Sequence, residues 1–293
     1  MVGRRFSQGG WERSYRAAVA RAFGTVPYYR EMWAEAGARR EEPAPTPATR
    51  LETLLGRLCP LEAPYERRRE EPAWIGESAE LLEALRLTGE YRGERPLFEV
   101  RRALLDWGRL GSARYHVLLS VDAEVAGPEV REAGLRAFRA AREPAVLGDP
   151  GQLAELPEHP GRVRRLVRVP LNGRDAHDRD AHDRDAHDRD AHDRDAHDRD
   201  AHDRDAHGRD AHGHVLHDRL LGYLGGRRRD CRRIHLNWRR VHVRRTPAGM
   251  LFTLLRRRRP TLVGISVPGT EDLAVDLCRE HGTPVLTRPG AVS

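Results

Sequence analysis

The sequence predicts an α/β protein: two βαβ units in a mainly parallel sheet, a helical N-terminal segment and a solvated low-complexity insert. Two strand–helix–strand stretches carry the sheet, and eight RDAH units lying between them carry the insert. In RYHVLLSVDAEV, Tyr115, Val117, Leu119 and Val121 alternate and Leu118 is also apolar, as in a well-buried strand. A helix is expected from about Pro128 to Arg142; AVLGDP then supplies a short strand, and GQLAEL begins another helix. Strand, helix, strand at this spacing implies a parallel pair. Near the C-terminus TLVGISV reads as a strand. EDLAVDLCREHG follows as a helix with acids in its first turn and Gly282 at its end, and TPVLTR is the closing strand of the second βαβ unit.

The remaining elements follow from local signals. Trp11, Tyr15, Ala18, Val19, Ala22 and Phe23 recur at helical spacing, so an amphipathic helix is expected up to about Gly24. Pro27 opens a second short helix that turns Tyr29, Met32 and Trp33 inward, and Gly37 is placed to end it. EEPAPTPA reads as a linker, and helices are expected over Leu51 to Leu58 and from Ser78 to about Leu87. These signals divide the chain into a helical segment and linker (1–48), an α/β region (49–170), the RDAHD repeat (171–213) and a basic α/β region (214–293). Ligands of such sheets bind beyond the carboxyl ends of the strands, here Asp122 to Gly127, Gly148 to Gly151 and Pro268 to Thr270.

Composition narrows the chemistry. All 52 basic residues are arginine, so a Schiff-base lysine and the lysine of a P-loop are excluded. Arginine stays protonated and cannot stand in for a titratable amine. Three widely spaced cysteines, Cys59, Cys231 and Cys278, show neither a disulfide framework nor a zinc ribbon, which suits a reducing cytoplasm. No signal peptide and no apolar run of membrane-spanning length is present, so a soluble cytoplasmic protein is expected.

The repeat runs from Arg174 in five-residue steps and holds His177, His182, His187, His192, His197, His202, His207 and His212. With no apolar residue larger than alanine it cannot bury a core, so it reads as a solvated spacer with partial helicity from Asp–Arg pairs at i,i+4. Imidazole and carboxylate are also good ligands for zinc or nickel, which makes the repeat a candidate metal binder. A five-residue step turns successive histidines about 140° around a helix, so they do not face one ion.

Just beyond it, HGHVLHD places His214, His217 and Asp218 in a polar cluster, with Cys231, His235 and His242 downstream at spacings that match no zinc template. The repeat carries eight arginines and fourteen aspartates, so the rest of the chain holds +13 of the net +7. Much of that excess lies at Arg227, Arg228, Arg229, Arg232, Arg233, Arg239 and Arg240 and on to Arg259, a candidate surface for a polyanion such as nucleic acid.

Three stretches resemble the adenylate-forming enzymes of the phenylacetate–CoA ligase and acyl-protein synthetase type. AVARAFGTVPYYREMWAEAG is similar to their N-terminal helix-turn segment, and AVLGDPGQLAEL to a strand-to-helix turn of their large domain. HDRLLGYLG with the HLNW stretch and LFTLLRRRRPTLVG is similar to later parts of such proteins. The resemblance implies an acyl- or aryl-CoA ligase-like fold and ATP as cofactor. It also exposes departures: the Ser/Thr/Gly-rich phosphate loop with its lysine and the C-terminal adenylation lysine are both missing. The expectation is a diverged or reduced relative without full adenylation activity, and no catalytic residue carries over.

Overall fold

The computed structural model describes residues 5–39, 42–62, 78–89, 91, 95–102, 108–110, 113–123, 128–171, 211–231 and 233–288. Residues 172–210, which hold nearly all of the repeat, and Arg232 lie outside them. In chain order the helices are α1 (Gln8–Thr25), α2 (Pro27–Glu35), α3 (Leu51–Leu54), α4 (Ser78–Leu87), α5 (Pro128–Ala140) and α6 (Pro150–Ala154). The strands are β1 (Thr46–Pro47), β2 (Leu97–Arg101), β3 (Gly108–Leu110), β4 (Ala113–Leu119), β5 (Ala145–Gly148), β6 (Arg164–Pro170) and β7 (Ala211–Asp218). They continue as β8 (Gly222–Arg227), β9 (Ile234–Leu236), β10 (Val241–Thr246), β11 (Gly249–Leu254), β12 (Ile265–Ser266), β13 (Ala274–Leu277) and β14 (Pro284–Thr287).

Among the described residues the strands form two sheets. The larger runs β13-β14-β9-β8-β7-β6-β5-β2-β4-β3 and the smaller β1-β12-β11-β10. Strands β4, β2, β5, β6 and β7 are mutually parallel, as expected for an α/β protein, and both ends of the sheet are antiparallel. The unit β4–α5–β5 forms as expected but spans β2, which lies between its two strands. Strand β2 shows why parallel strands are hard to read locally. Its five residues are all buried, Leu97 packing with α4 and Phe98 and Val100 packing with α5 and α6 on the opposite face.

The N-terminal helices form as the periodicity requires. Trp11, Tyr15, Ala18, Val19 and Ala22 are buried on α1, and Tyr28, Tyr29 and Trp33 on α2. They pack on the small sheet around Phe252, Leu262 and Ile265. The Tyr29 hydroxyl donates to the Thr261 carbonyl at 2.9 Å and accepts from the Val263 N–H at 3.0 Å, which ties α2 to the chain entering β12. Two expectations are corrected. The linker contributes β1, paired in parallel with β12. The second βαβ unit does not form: the segment expected as a helix supplies β13, which turns back at Cys278–Thr283 and pairs antiparallel with β14. Pairing with a neighbouring strand outweighs a weak helical pattern of only three turns. No helix among the described residues is long and apolar enough to cross a membrane.

Candidate metal centre at the sheet edge

Two short segments far apart in the chain meet at one end of the large sheet. The first leaves β8, passes Cys231 and enters β9, which carries His235. Any side chain at Gly225 would collide with the His235 carbonyl, so glycine there lets β8 approach β9 closely. The second segment is the turn from β13 to β14. The Cys278 N–H donates to the Thr283 carbonyl at 2.9 Å, the Gly282 N–H donates to the Cys278 carbonyl at 2.7 Å, and Gly282 takes a φ of +60°. That turn holds Cys278 and His281. Pairing of Val285 with His235 across β14 and β9 brings the segments together.

Cys231, His235, Cys278 and His281 thereby place one donor atom each within 4.8 Å of all the others. Cys231 Sγ lies 3.8 Å from Cys278 Sγ, and Cys278 Sγ lies 3.4 Å from His281 Nδ1. The two imidazole rings stand nearly perpendicular at 87°, with centroids 5.0 Å apart. Each ring is held from behind. His235 Nδ1 is 2.8 Å from the Thr283 hydroxyl, and His281 Nε2 is 3.2 Å from Asp230 Oδ2. Asp230 is held in turn by Arg228 through bonds of 3.0 and 3.1 Å. His235 is fully buried, yet its Nε2 has no hydrogen-bond partner among the described residues. A buried polar atom left without a partner costs free energy unless something else satisfies it.

Electrostatics at this edge favour a thiolate on Cys278. Burial pushes its thiol up, but hydrogen bonds from the His281 side chain and from the His281 and Glu280 N–H groups outweigh that and hold it below its usual value. The same contact with Cys278 raises the His281 imidazole. Burial, ahead of the nearby His281, lowers His235 to about 4, so it is a neutral lone-pair donor at neutral pH. Burial raises Cys231. Arg228, ahead of His281, holds the Asp230 carboxyl well below the usual range. His242, the third downstream candidate, sits elsewhere, stacked on Tyr15 at 4.3 Å and 3.2 Å from Glu12.

The residues singled out in the sequence are dispersed. His177, His182, His187, His192, His197, His202 and His207 lie outside the described residues, and only the backbone of His212 is described, in β7. His214, His217 and Asp218 all lie on β7 but do not converge. Asp218 accepts the Leu220 and Leu221 N–H groups at 2.8 and 2.9 Å and so shapes the turn into β8. His217 lies on the face of Val215 and packs against Tyr223 at 4.8 Å, whereas His214 alternates to the other side. Of the arginines, Arg228 pairs with Asp230, Arg240 with Glu83, and Arg239 lies 5.1 Å over Trp238; Arg227 and Arg229 are exposed and Arg233 is half-buried.

His217 borders a polar row that crosses the parallel strands, which no local motif announced. Buried Glu99 accepts from the Tyr115 hydroxyl and, at 2.6 Å, from the Tyr223 hydroxyl, and lies 3.6 Å from Arg168. Removal from water, ahead of Arg168 and Arg101, holds the His217 imidazole well below its usual value. Burial, partly offset by Glu12, lowers His242 as well. His217 and His242 act in one direction. Above an unfolded value of about 6.5 they carry no pH dependence; as pH falls below it the unfolded chain takes up protons first and the fold loses stability. Each contributes at most about 1.4 kcal/mol per pH unit. Melting temperature is therefore expected to fall between pH 7 and pH 5, and less steeply in His217→Gln; an equal slope in both proteins would remove His217 from this account.

No family model matches the sequence, and no curated protein matches it significantly. Among solved structures the fold is similar to that of 2-hydroxyisobutyryl-CoA ligase, crystallised in an open conformation with 2-HIB-AMP and CoA. The TM-score is 0.56 at 11% sequence identity, over 96% of this chain and 68% of the ligase. At that identity the similarity shows the fold alone, an α/β architecture shared with that ligase.

Proposed function

We propose that this chain is a diverged relative of the adenylate-forming acyl-CoA ligases that keeps their architecture without their adenylation chemistry. One observation carries the reading: the fold similarity runs over 96% of a chain that contains no lysine. Adenylation concentrates negative charge at the α-phosphate and the attacking carboxylate. A lysine ammonium serves as a compact, mobile point charge for such a centre, whereas arginine's broad planar fork meets it with different geometry. ATP therefore enters the account only through the resemblance, and the protein acts beside an acyl-type pathway rather than as its activating enzyme.

ATP–pyrophosphate exchange with a panel of carboxylic acids, including 2-hydroxyisobutyrate, tests this. The expected result is no exchange above the protein-free background, and clear, saturable exchange with any acid overturns it. Polyanion binding is the weaker alternative. Several of the arginines behind it are committed within the fold, Arg228 to Asp230, Arg240 and Arg256 to Glu83, and Arg257 to Glu80.

A further inference from the structure

We propose that Cys231, His235, Cys278 and His281 hold one zinc ion in a closed tetrahedral site that fastens the β13–β14 hairpin to the edge of the large sheet. The donor set is two sulfurs and two imidazoles, the combination that selects tetrahedral zinc over magnesium, calcium or manganese. Zn–S bonds of about 2.3 Å and Zn–N bonds of about 2.0 Å at tetrahedral angles separate two sulfurs by about 3.8 Å and a sulfur from a nitrogen by about 3.5 Å. The observed separations are 3.8 Å between the sulfurs and 3.4 Å from Cys278 Sγ to His281 Nδ1.

The tautomers are set for ligation as well. His281 bonds Asp230 through Nε2, which leaves Nδ1 facing the sulfurs, and His235 bonds Thr283 through Nδ1, which leaves Nε2. That Nε2 is the buried atom without a hydrogen-bond partner, and a metal ion satisfies it. A carboxylate or hydroxyl behind a ligating imidazole is the usual support of a zinc site. With four protein donors no position remains for water or substrate, so the ion is structural rather than catalytic. Asp230, fixed by Arg228, is a positioning residue: it aims His281 without touching the ion.

Cobalt titration of the full chain tests the site. The expected product is a one-to-one complex with the visible bands of tetrahedral Co(II) and a sulfur-to-cobalt charge-transfer band, displaced stoichiometrically by zinc. A version with one RDAH unit in place of eight should give the same spectrum and the same zinc affinity. Asp230→Asn should bind zinc roughly 10- to 100-fold more weakly, and Cys278→Ser should lose the charge-transfer intensity of one sulfur. Because the spectrum is read on the unmodified chain, a variant that fails to fold does not blunt the test. Absence of sulfur charge transfer in the full chain, or loss of tight binding when the repeat is shortened, overturns the proposal.

Discussion

Stripping the metal from the Cys231–His235–Cys278–His281 centre is expected to release the β13–β14 hairpin and lower the melting temperature by roughly 8–16 °C. The hairpin has little backbone pairing with the rest of the sheet. Among the described residues strand β13 pairs with β14 alone, and β14 meets β9 through two residue pairs, Val285 with His235 and Leu286 with Ile234. A ligand that binds only the folded state stabilises it by about 4 kcal/mol when its free concentration is a thousandfold above Kd. At roughly 2–4 °C per kcal/mol for a chain of this size, that gives the stated range. Calorimetry with and without a chelator reads the shift, and hydrogen exchange locates it. Residues 274–287 should lose protection while β2, β4 and β5 keep theirs. Uniform loss of protection across the sheet, or none, would contradict a local fastening role.

Replacing Arg257 by methionine is expected to cost about 3–5 kcal/mol, one of the largest penalties available to a single side chain in this fold. Arg257 and Glu80 are both buried, Arg257 Nε donates to Glu80 Oε1 at 2.9 Å, and a second bond joins Arg257 Nη2 to Glu80 Oε2. The pair locks α4 to the segment between β11 and β12. Removing the guanidinium leaves a carboxylate in a site closed to water, and its unrepaid desolvation supplies most of the loss. Exchanging both partners, Arg257→Met with Glu80→Leu, should recover most of the stability. Urea midpoints at constant m-value decide it: a single variant costing under about 1 kcal/mol would show that Glu80 is solvated after all.

Elements whose pattern is local were legible in the sequence. The stripe from Trp11 to Ala22 produced α1, Pro27 opened α2, and the alternation from Tyr115 to Leu119 gave β4. Strands defined by neighbours on both sides were not. In β6, RRLVRVP, Leu166 and Arg168 are the buried positions and arginines fill much of the rest, so a core strand reads as a basic run. The segment 271–282 spaces its acids and leucines like a helix, and only pairing with β14 makes Ala274–Leu277 extended. The metal centre was hidden for the same reason. Its thiols stand 47 positions apart in sequence, and each half is a Cys–His pair rather than the Cys–Cys or His–His pair of familiar zinc spacings. Nothing short of the β9–β14 pairing announces that the halves meet. The conspicuous signal, eight evenly spaced histidines, drew attention to a segment that does not supply these donors.

X-ray absorption at the zinc edge on the purified chain decides whether Cys231, His235, Cys278 and His281 hold the ion. One zinc per chain is expected, with two sulfur neighbours at about 2.3 Å and two nitrogen neighbours at about 2.0 Å. A shell of nitrogen and oxygen alone would assign the metal to the RDAHD repeat and overturn the four-residue site.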